Sequence, residues 1–487
     1  MRKCGLSVFL AALILLPGTA GGLPHLPRPR PSKPGPTSGQ VLIASDLHFN
    51  PFADPALGAA LAKEPVRKWE TILERSSSTA YSPYGQDTNW WLLRSALDAM
   101  RKAEPNPALV MITGDLLAHG FAQKYAQAVQ DKNRNHYRAF VSKTVSFVAS
   151  QLRQRYNKQQ ILLTPGNNDD DCGDYDIEAG GPFLSDTAFR VRGLAREGVR
   201  FMSDWKSLGS YSLQPRGIRG LRIISVNSVF FSNKYQAVNF ADGCSTADSK
   251  GPARTYSWLE STLNRAAQNR EKVWIMMHIP PGIDGYSTMV NYQSLAQAAA
   301  APPQDLCSQA IVPMWKPFWT ELFDRLVTQY ATTITAIFAG HDHTDDFRVI
   351  HAGQSDQGFV LIDPPVSPIY GQNPSFRIVT FAGGSGLTDQ TTWYLTNLEM
   401  AQSTTPGTWA PEYTFAEEWH GPHLDAAGLN SIYDQIHSDP SASQRWLTLL
   451  NVSSTYQPVP ANGVRTLECA IAALDPASYK ACYCPAP

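Results

Sequence analysis

Hydrophobic residues follow two alternating patterns along this chain. Six short apolar runs, of three to six residues each, are typical of buried β-strands. They lie at Val41–Ala44, Leu109–Thr113, Ile161–Leu163, Leu221–Val226, Val273–Met277 and Ile334–Ala339. Apolar residues at helical spacing occupy the stretches Trp90–Lys102, Ala122–Arg155, Tyr256–Asn269 and Trp315–Tyr330. Strand runs that alternate with helical stretches predict an α/β fold.

The first 40 residues lie outside this pattern. Arg2 and Lys3 precede an apolar stretch, Gly5–Leu16, and small residues follow it, which is the layout of a secretory signal peptide. A membrane-spanning helix needs about 20 apolar residues, and no run in the sequence reaches that length, so no transmembrane segment is predicted. We therefore expect a signal peptide at 1–20, a Pro-rich linker at 21–40, and secretion to the extracellular space or the periplasm.

Cysteine usage agrees with export. Without the signal peptide the chain keeps six cysteines, which are Cys172, Cys244, Cys307, Cys469, Cys482 and Cys484. An even number in an exported chain predicts disulfides. Because Cys482 and Cys484 are too close in sequence for an easy mutual bridge, we expect Cys469 to pair with one of them.

Composition and charge narrow the class of function. The chain has 487 residues, of which 43% are hydrophobic and 17% charged, as in a globular protein rather than a disordered one. Lys and Arg number 41 against 42 Asp and Glu, and five of the basic residues lie in the first 40, so the remainder carries a net charge of −6. Bulk charge therefore does not favour nucleic-acid binding.

Five of the apolar runs end in residues that bind metal ions. These residues are Asp46 and His48, Asp115, Asn167, His278, and His341 and His343. Ligands of α/β sheets bind at the carboxyl ends of strands, so these side chains can meet in one crevice. Imidazole, carboxylate and amide groups without thiolate suit zinc, with manganese or iron as alternatives. The set is too large for one tetrahedral ion and fits two divalent ions, which supply hydroxide and stabilise in-line displacement at phosphorus.

The motifs themselves match a known family. The blocks Asp46-x-His48, Gly114-Asp115, Gly166-Asn167, His278 and Gly340-His341-x-His343 resemble those of the calcineurin-like metallophosphoesterases. The resemblance implies a four-layer fold, in which helices flank a central β-sandwich. It also implies two ligand groups that share Asp115. These are Asp46, His48, Asp115 and His343 around one ion, and Asp115, Asn167, His278 and His341 around the other.

Within that superfamily the chain resembles the acid sphingomyelinase-like phosphodiesterases, over roughly residues 41 to 440. The likeness rests on His119, four residues after Asp115, and on the segments 278–282, 338–347, 365–377 and 412–415. It implies hydrolysis of a phosphodiester in a sphingomyelin-like lipid or a nucleotide by metal-activated hydroxide, with His119 as general acid and Tyr370 at the substrate groove. The sequence implies a phosphorylated small molecule or lipid as substrate and no protein partner.

The chain after residue 40 is expected to divide into two parts. Residues 41–404 are expected to form the catalytic domain. Helical spacing in Leu424–Ile436 and Ser443–Leu450, followed by Cys469, Cys482 and Cys484, predicts a small helical C-terminal subdomain at 405–487.

Asn168 departs from the superfamily pattern, which usually has His at this position. An amide donates a hydrogen bond but cannot deliver a proton. Either His119 alone is the general acid, or the leaving group departs unprotonated. The second option fits a phosphoanhydride, and endopolyphosphatases resemble this chain in Gly-Asn-Asn-Asp; a nucleotide phosphatase is the related alternative. A third interpretation, an inactive metal-binding scaffold, predicts eroded ligands, yet none of the seven is missing.

An acidic segment follows Asn168 and argues against a polyanionic substrate. It contains Asp169, Asp170, Asp171, Asp174 and Asp176. Such a segment beside the site would repel polyphosphate. A solvated turn held by Cys172 is the alternative interpretation.

Overall fold

The computed structural model describes residues 38–216, 218–235, 250–298, 305–353, 355–383, 385–421, 423–456 and 459–484. These residues belong to one compact unit. The expected signal peptide, and all but the last three residues of the expected linker, lie outside them.

The described residues form twelve strands. They are β1 Gly39–Ala44, β2 Leu109–Ile112, β3 Ile161–Leu163, β4 Tyr211–Leu213, β5 Leu221–Ser225, β6 Lys272–Met276, β7 Ile334–Ala339, β8 Asp346–Ala352, β9 Ser355–Ile362, β10 Ser375–Ala382, β11 Gly386–Leu395 and β12 Trp409–Thr414.

The same part of the chain forms sixteen α-helices. They are α1 Gly58–Lys63, α2 Trp69–Leu73, α3 Trp90–Ala103, α4 Phe121–Val129, α5 Arg134–Arg155, α6 Pro182–Ala195, α7 Val199–Leu208, α8 Gly251–Gln268, α9 Gly285–Ala298, α10 Leu306–Ala310, α11 Pro317–Gln329, α12 Phe415–Glu418, α13 Ala426–Ser438, α14 Pro440–Leu450, α15 Val464–Ala472 and α16 Pro476–Tyr483. Over the described residues, none of these helices combines the length and the apolar composition needed to cross a membrane.

Two mixed sheets of six strands build the centre of the fold. The first has the order β12-β11-β10-β1-β2-β3, and the second β4-β5-β6-β7-β9-β8. Strands β1, β2 and β3 are parallel, as are β5, β6, β7 and β9. Both sheets contribute to one hydrophobic core, in which the rings of Trp274 on β6 and Phe381 on β10 lie 5.8 Å apart. The expected α/β fold with its central sandwich and flanking helices is confirmed.

The predicted elements are present. The six predicted strands correspond to β1, β2, β3, β5, β6 and β7. The stretch with helical spacing at Ala122–Arg155 forms two helices, α4 and α5. Gln130 ends α4 with a left-handed φ of 57°. The side chain of Asn133 then caps α5 by accepting hydrogen bonds from the amides of Asn135 and His136.

Strands β8 and β10 each contain a buried arginine, so their sequences are not continuous apolar runs. Arg377 lies in β10, is fully buried and pairs with Asp345 and Asp363. Arg348 on β8 is paired in the same way with Asp342, at 2.7 Å. Because these arginines interrupt the apolar runs, the sequence pattern does not predict β8 and β10.

The C-terminal residues add to both the sheet and the helical layers. Strand β12 pairs with β11, while α13 and α15 pack on β8. Disulfides join Cys469 to Cys482 and Cys307 to Cys484, which confirms the pairing expected for Cys469. Cys172 is also disulfide-bonded, and Cys244 lies outside the described residues. The division into 41–404 and 405–487 stays a prediction.

Candidate metal centre

The carboxyl ends of five parallel strands bring the seven predicted ligands to one place. Asp46 and His48 follow β1, Asp115 follows β2, Asn167 follows β3, His278 follows β6, and His341 and His343 follow β7. The loops are tied together across the two sheets, since the backbone N–H of His341 donates to Asp46 Oδ2 at 3.1 Å. The structure thus assembles the predicted set, while the role of each residue as a ligand stays a prediction.

Asp115 lies between the two predicted ligand groups. Its Oδ2 is 3.4 Å from His48 Nε2 and 3.3 Å from His278 Nε2. The side chain is only 2% exposed. A carboxylate placed between two imidazoles is positioned to serve both groups, as the resemblance implies.

The first group contains nitrogen and oxygen atoms that face one another. His48 donates its Nδ1–H to the carbonyl oxygen of Leu117 at 2.9 Å, so its Nε2 faces inward. That nitrogen lies 3.0 Å from His343 Nε2. Asp46 Oδ1 is buried without a hydrogen-bond partner among the described residues and lies 3.2 Å from His343 Nε2. Inward-facing nitrogen and oxygen donors of this kind fit a divalent cation.

The second group is oriented by hydrogen bonds to neighbouring loops. His278 donates its Nδ1–H to the carbonyl oxygen of Thr113 at 2.8 Å. The amide of Asn167 donates to Asp174 Oδ1 at 2.6 Å, which turns its own oxygen toward His278 Nε2 at 2.9 Å. The ring of His341 lies 5.1 Å from that of His278. Fixing the outer atom of each ligand is how proteins orient metal-binding side chains.

Five of the seven predicted ligands have a left-handed backbone. The φ angles are 50° at Asp46, 38° at His48, 53° at Asp115, 75° at His341 and 55° at His343. This conformation costs about 1–2 kcal/mol for each residue other than glycine. Such strain persists where the surroundings fix it, and it clusters at functional sites.

Glycines before the ligands allow this close packing. A Cβ atom at Gly166 would lie 2.0 Å from Asp115 Oδ1, and one at Gly340 would lie 1.9 Å from Ser45 Oγ. At Gly114, the Cβ atom would meet the His278 ring at 2.6 Å. No side chain fits at these distances, so the motifs require glycine for steric reasons.

Electrostatics favour the ionised carboxylates. Burial acts to raise the pKa of Asp46 and Asp115, but neighbouring histidines outweigh it and hold both pKa values well below the usual range. Burial also opposes protonation of His278, yet the carboxylate of Asp115 raises its pKa to about 10. Burial and the charge of His278 lower the pKa of His341 to about 3. A cation bound at His278 would replace its proton, because ligands bind metal in the deprotonated form.

His119 lies against the first ligand group. Its ring stacks on that of His48, with the centroids 4.0 Å apart, and its Nε2 is 3.3 Å from the Tyr370 hydroxyl. Ligand nitrogens of His48, His119 and His343 lie within 4.8 Å of one another, as do ligand atoms of Asp46, Asp115 and His278. The geometry therefore places His119 where it can reach a group bound at the centre.

Asp87 orients His119 and carries no sequence signal. Its Oδ1 accepts from His119 Nδ1 at 2.8 Å, and its Oδ2 accepts from Lys124 Nζ at 2.5 Å. Burial raises the pKa of Asp87, but the bond from His119 and nearby positive charges outweigh it and lower the pKa to about 2. The residue follows no apolar run; it reaches the site because Thr88 pairs with Phe49, next to His48.

Asn168 does not reach outward as a general acid would. Its side-chain amide donates to Asp115 Oδ2 and its backbone N–H to Asp115 Oδ1, both at 2.8 Å. The residue is 6% exposed. Asn168 therefore holds the central carboxylate in place.

The acidic segment is a solvated turn only in its second half. Asp169, Asp170 and Asp171 are all buried, so that interpretation is wrong for them, whereas Asp174 is exposed and Asp176 is half-buried. Asp169 Oδ1 accepts hydrogen bonds from the amides of Leu116 and Leu117, at 2.7 and 3.1 Å. This carboxylate anchors the loop that follows Asp115.

Comparisons with known proteins identify a family and several similar chains. The family model described as calcineurin-like phosphoesterase matches residues 39–345. The chain is 26% identical over 438 residues to "Sphingomyelinase phosphodiesterase D" of Dictyostelium discoideum, which covers 83% of this chain and 86% of that protein. It is 24% identical over 492 residues to "Cyclic GMP-AMP phosphodiesterase SMPDL3A" of Mus musculus, with 97% and 98% covered. A crystal structure of a dimetal phosphatase from Danio rerio covers 77% of the chain and 99% of its own, at 10% identity and a TM-score of 0.38.

Proposed function

The chain belongs to the calcineurin-like phosphoesterase family and is a hydrolase of phosphodiesters, and we propose that it uses two divalent metal ions, zinc first, held by the seven residues described above. When bound, two such ions activate water and stabilise the charge that develops at phosphorus. The observation that carries this proposal is the position of Asp115 Oδ2, which lies 3.4 and 3.3 Å from histidines of the two ligand groups.

The residues around the centre have separate roles in this proposal. Asp46, His48 and His343 would hold one ion, Asn167, His278 and His341 would hold the other, and Asp115 would serve both groups. His119 Nε2 donates a proton to the departing oxygen, and Asp87 keeps the imidazole in the orientation that this step needs. Asn168 fixes both oxygens of Asp115 and takes no part in proton transfer.

The substrate class follows from the relatives and from Asn168. Relatives named for sphingomyelin and for cyclic GMP-AMP support a lipid or nucleotide phosphodiester. A phosphoanhydride is the second candidate. Asn168 cannot deliver a proton as the usual His could, and the leaving group of a phosphoanhydride can depart without one. A parallel assay with sphingomyelin, ATP and long-chain polyphosphate separates these substrates.

Secretion is part of the proposal. It is supported by the leader pattern of residues 1–20 and by the disulfides Cys307–Cys484 and Cys469–Cys482, since disulfides persist in oxidising compartments. Detection of the mature chain outside the cell, with a new N-terminus near Ala20, tests it.

Substitution of the central carboxylate tests the enzymatic proposal. In Asp115→Ala, hydrolysis of bis-p-nitrophenyl phosphate should fall by more than about 100-fold. Substitution of a residue that only orients a metal ligand costs up to about 100-fold, and Asp115 is itself a proposed ligand. Asp186→Ala is the matched control, because Asp186 pairs with Arg138 at the surface. Undiminished turnover by Asp115→Ala would refute the proposed centre.

A further inference from the structure

Lys234 lies beside the candidate metal centre, and its ammonium group contacts the hydroxyl of Tyr175. Its Nζ is 3.4 Å from the Tyr175 hydroxyl and 5.0 Å from the centre of that ring. Among the described residues, no carboxylate oxygen lies within 4.0 Å of this ammonium group. The side chain is exposed, so its charge is available to a ligand.

Tyr175 connects this lysine to the second ligand group. Its hydroxyl lies 3.3 Å from His341 Nε2, and its backbone N–H donates to the Asn167 carbonyl at 2.9 Å. Tyr175 is 7% exposed, and its phenol hydroxyl is an uncharged group. Lys234 Nζ is therefore at most two hydrogen-bond lengths from His341 Nε2.

Other cations near the centre already have acidic partners. Lys124 pairs with Asp87, while Arg348 and Arg377 pair with buried aspartates. Lys234 differs from them because, within the described part of the chain, its ammonium group contacts an uncharged hydroxyl, and its charge acts on Asp174 only from beyond 4.0 Å. An ammonium is a compact charge with three donors, which suits phosphate oxygens.

We infer that Lys234 binds a second anionic group of the substrate, a phosphate next to the one that is hydrolysed. This inference rests on the proposed function and narrows its substrate to nucleotides or other molecules with adjacent phosphates. Tyr175 lies between the ammonium group and His341. Lys234 is therefore farther from the phosphate that is hydrolysed than the predicted metal ligands are. A choline headgroup would be repelled at this position because it also carries a positive charge.

Kinetics of a neutral variant with two substrates test the inference. In Lys234→Met, the KM for ATP should rise about tenfold, the size of one charge-assisted hydrogen bond. The kcat for ATP and both constants for bis-p-nitrophenyl phosphate, which has no second phosphate, should stay unchanged. Lys272→Met is the matched control, since exposed Lys272 also contacts a neutral oxygen, at Thr332, but lies at the opposite end of β6 from His278. Lys234→Arg should retain most of the affinity.

Binding gives a readout that does not depend on turnover. Calorimetric titration of the metal-loaded protein with pyrophosphate should show about tenfold weaker binding in Lys234→Met than in the wild type. Equal losses for both substrates, or unchanged KM for ATP together with unchanged pyrophosphate binding, would overturn the inference. A wild type that hydrolyses neither substrate but binds pyrophosphate through Lys234 would instead refute the proposed function and support the anion site.

Discussion

At the scale of single residues, the centre depends on hydrogen bonds that set the direction of lone pairs. His48 and His278 each donate Nδ1–H to a backbone carbonyl, so both Nε2 atoms face Asp115. The ligands could be predicted because each follows an apolar run within four residues. Asp87 could not, since it reaches His119 only through the packing of a distant loop.

The pair formed by His119 and Asp87 predicts a dependence on the leaving group. In His119→Gln, hydrolysis of a dialkyl phosphate should fall by about 10²- to 10⁴-fold, because its alkoxide needs a proton to leave. Bis-p-nitrophenyl phosphate should be much less affected, and Asp87→Asn should show the same difference. Steady-state rates with the two diesters measure this effect.

His136→Gln is the control for that experiment. His136 also pairs with an aspartate, Asp131 at 2.7 Å, but on the surface. It should behave as the wild type with both diesters. Equal losses with both diesters in His119→Gln would show that the imidazole does not act on the leaving group.

At the scale of secondary structure, the site forms where the carboxyl ends of strands lie close together. Six strands were predictable from continuous apolar runs, and five of them lead to ligands. Strands β8 and β10 were not, because Arg348 and Arg377 are buried within them as ion pairs. The break between α4 and α5 likewise depends on the backbone of Gln130, which the apolar pattern does not show.

The turn after β3 predicts a strict requirement for glycine. Gly166→Ala would place a methyl group 2.0 Å from Asp115 Oδ1, so the central carboxylate must move. Metal affinity should fall by about 10- to 100-fold or more, as it does when residues that orient metal ligands are substituted. Metal titration of the purified variant measures this loss.

Gly193→Ala provides the comparison for this substitution. Gly193 lies in α6, and a methyl group there would extend into open space, so alanine should leave metal binding unchanged. It should also stabilise the fold, by up to about 1 kcal/mol, because alanine has the higher helix propensity. Normal metal affinity in Gly166→Ala would contradict the steric explanation.

At the scale of the whole molecule, the C-terminal residues cover part of the half-buried Glu412 side chain. Glu412 on β12 accepts a hydrogen bond from Ser453 at 2.7 Å, while its other oxygen is buried without a partner among the described residues. Burial and the nearby charge of Asp345 raise the pKa of Glu412 to about 9. The folded protein therefore holds a proton that the unfolded chain, with a usual value of 4.5, releases.

Because of Glu412, the free energy of unfolding should decrease as the pH rises. Its contribution is fully present below pH 4.5 and is lost as the pH rises toward 9, by at most about 1.4 kcal/mol per pH unit. Glu412→Gln stays neutral, so its free energy of unfolding should increase relative to the wild type between pH 5 and 9. Urea unfolding at several pH values measures the difference. Glu417→Gln, at an exposed position of α12, should show no such trend, and a constant difference for Glu412→Gln would contradict the prediction.

If the Asp115 carboxylate joins the two ligand groups, the metal content of each chain depends on it. Elemental analysis of the purified full chain should find two divalent ions per chain. The count should fall in Asp115→Ala and remain two in Asp186→Ala. A wild-type protein with one ion or none, or two ions retained by Asp115→Ala, would contradict the account.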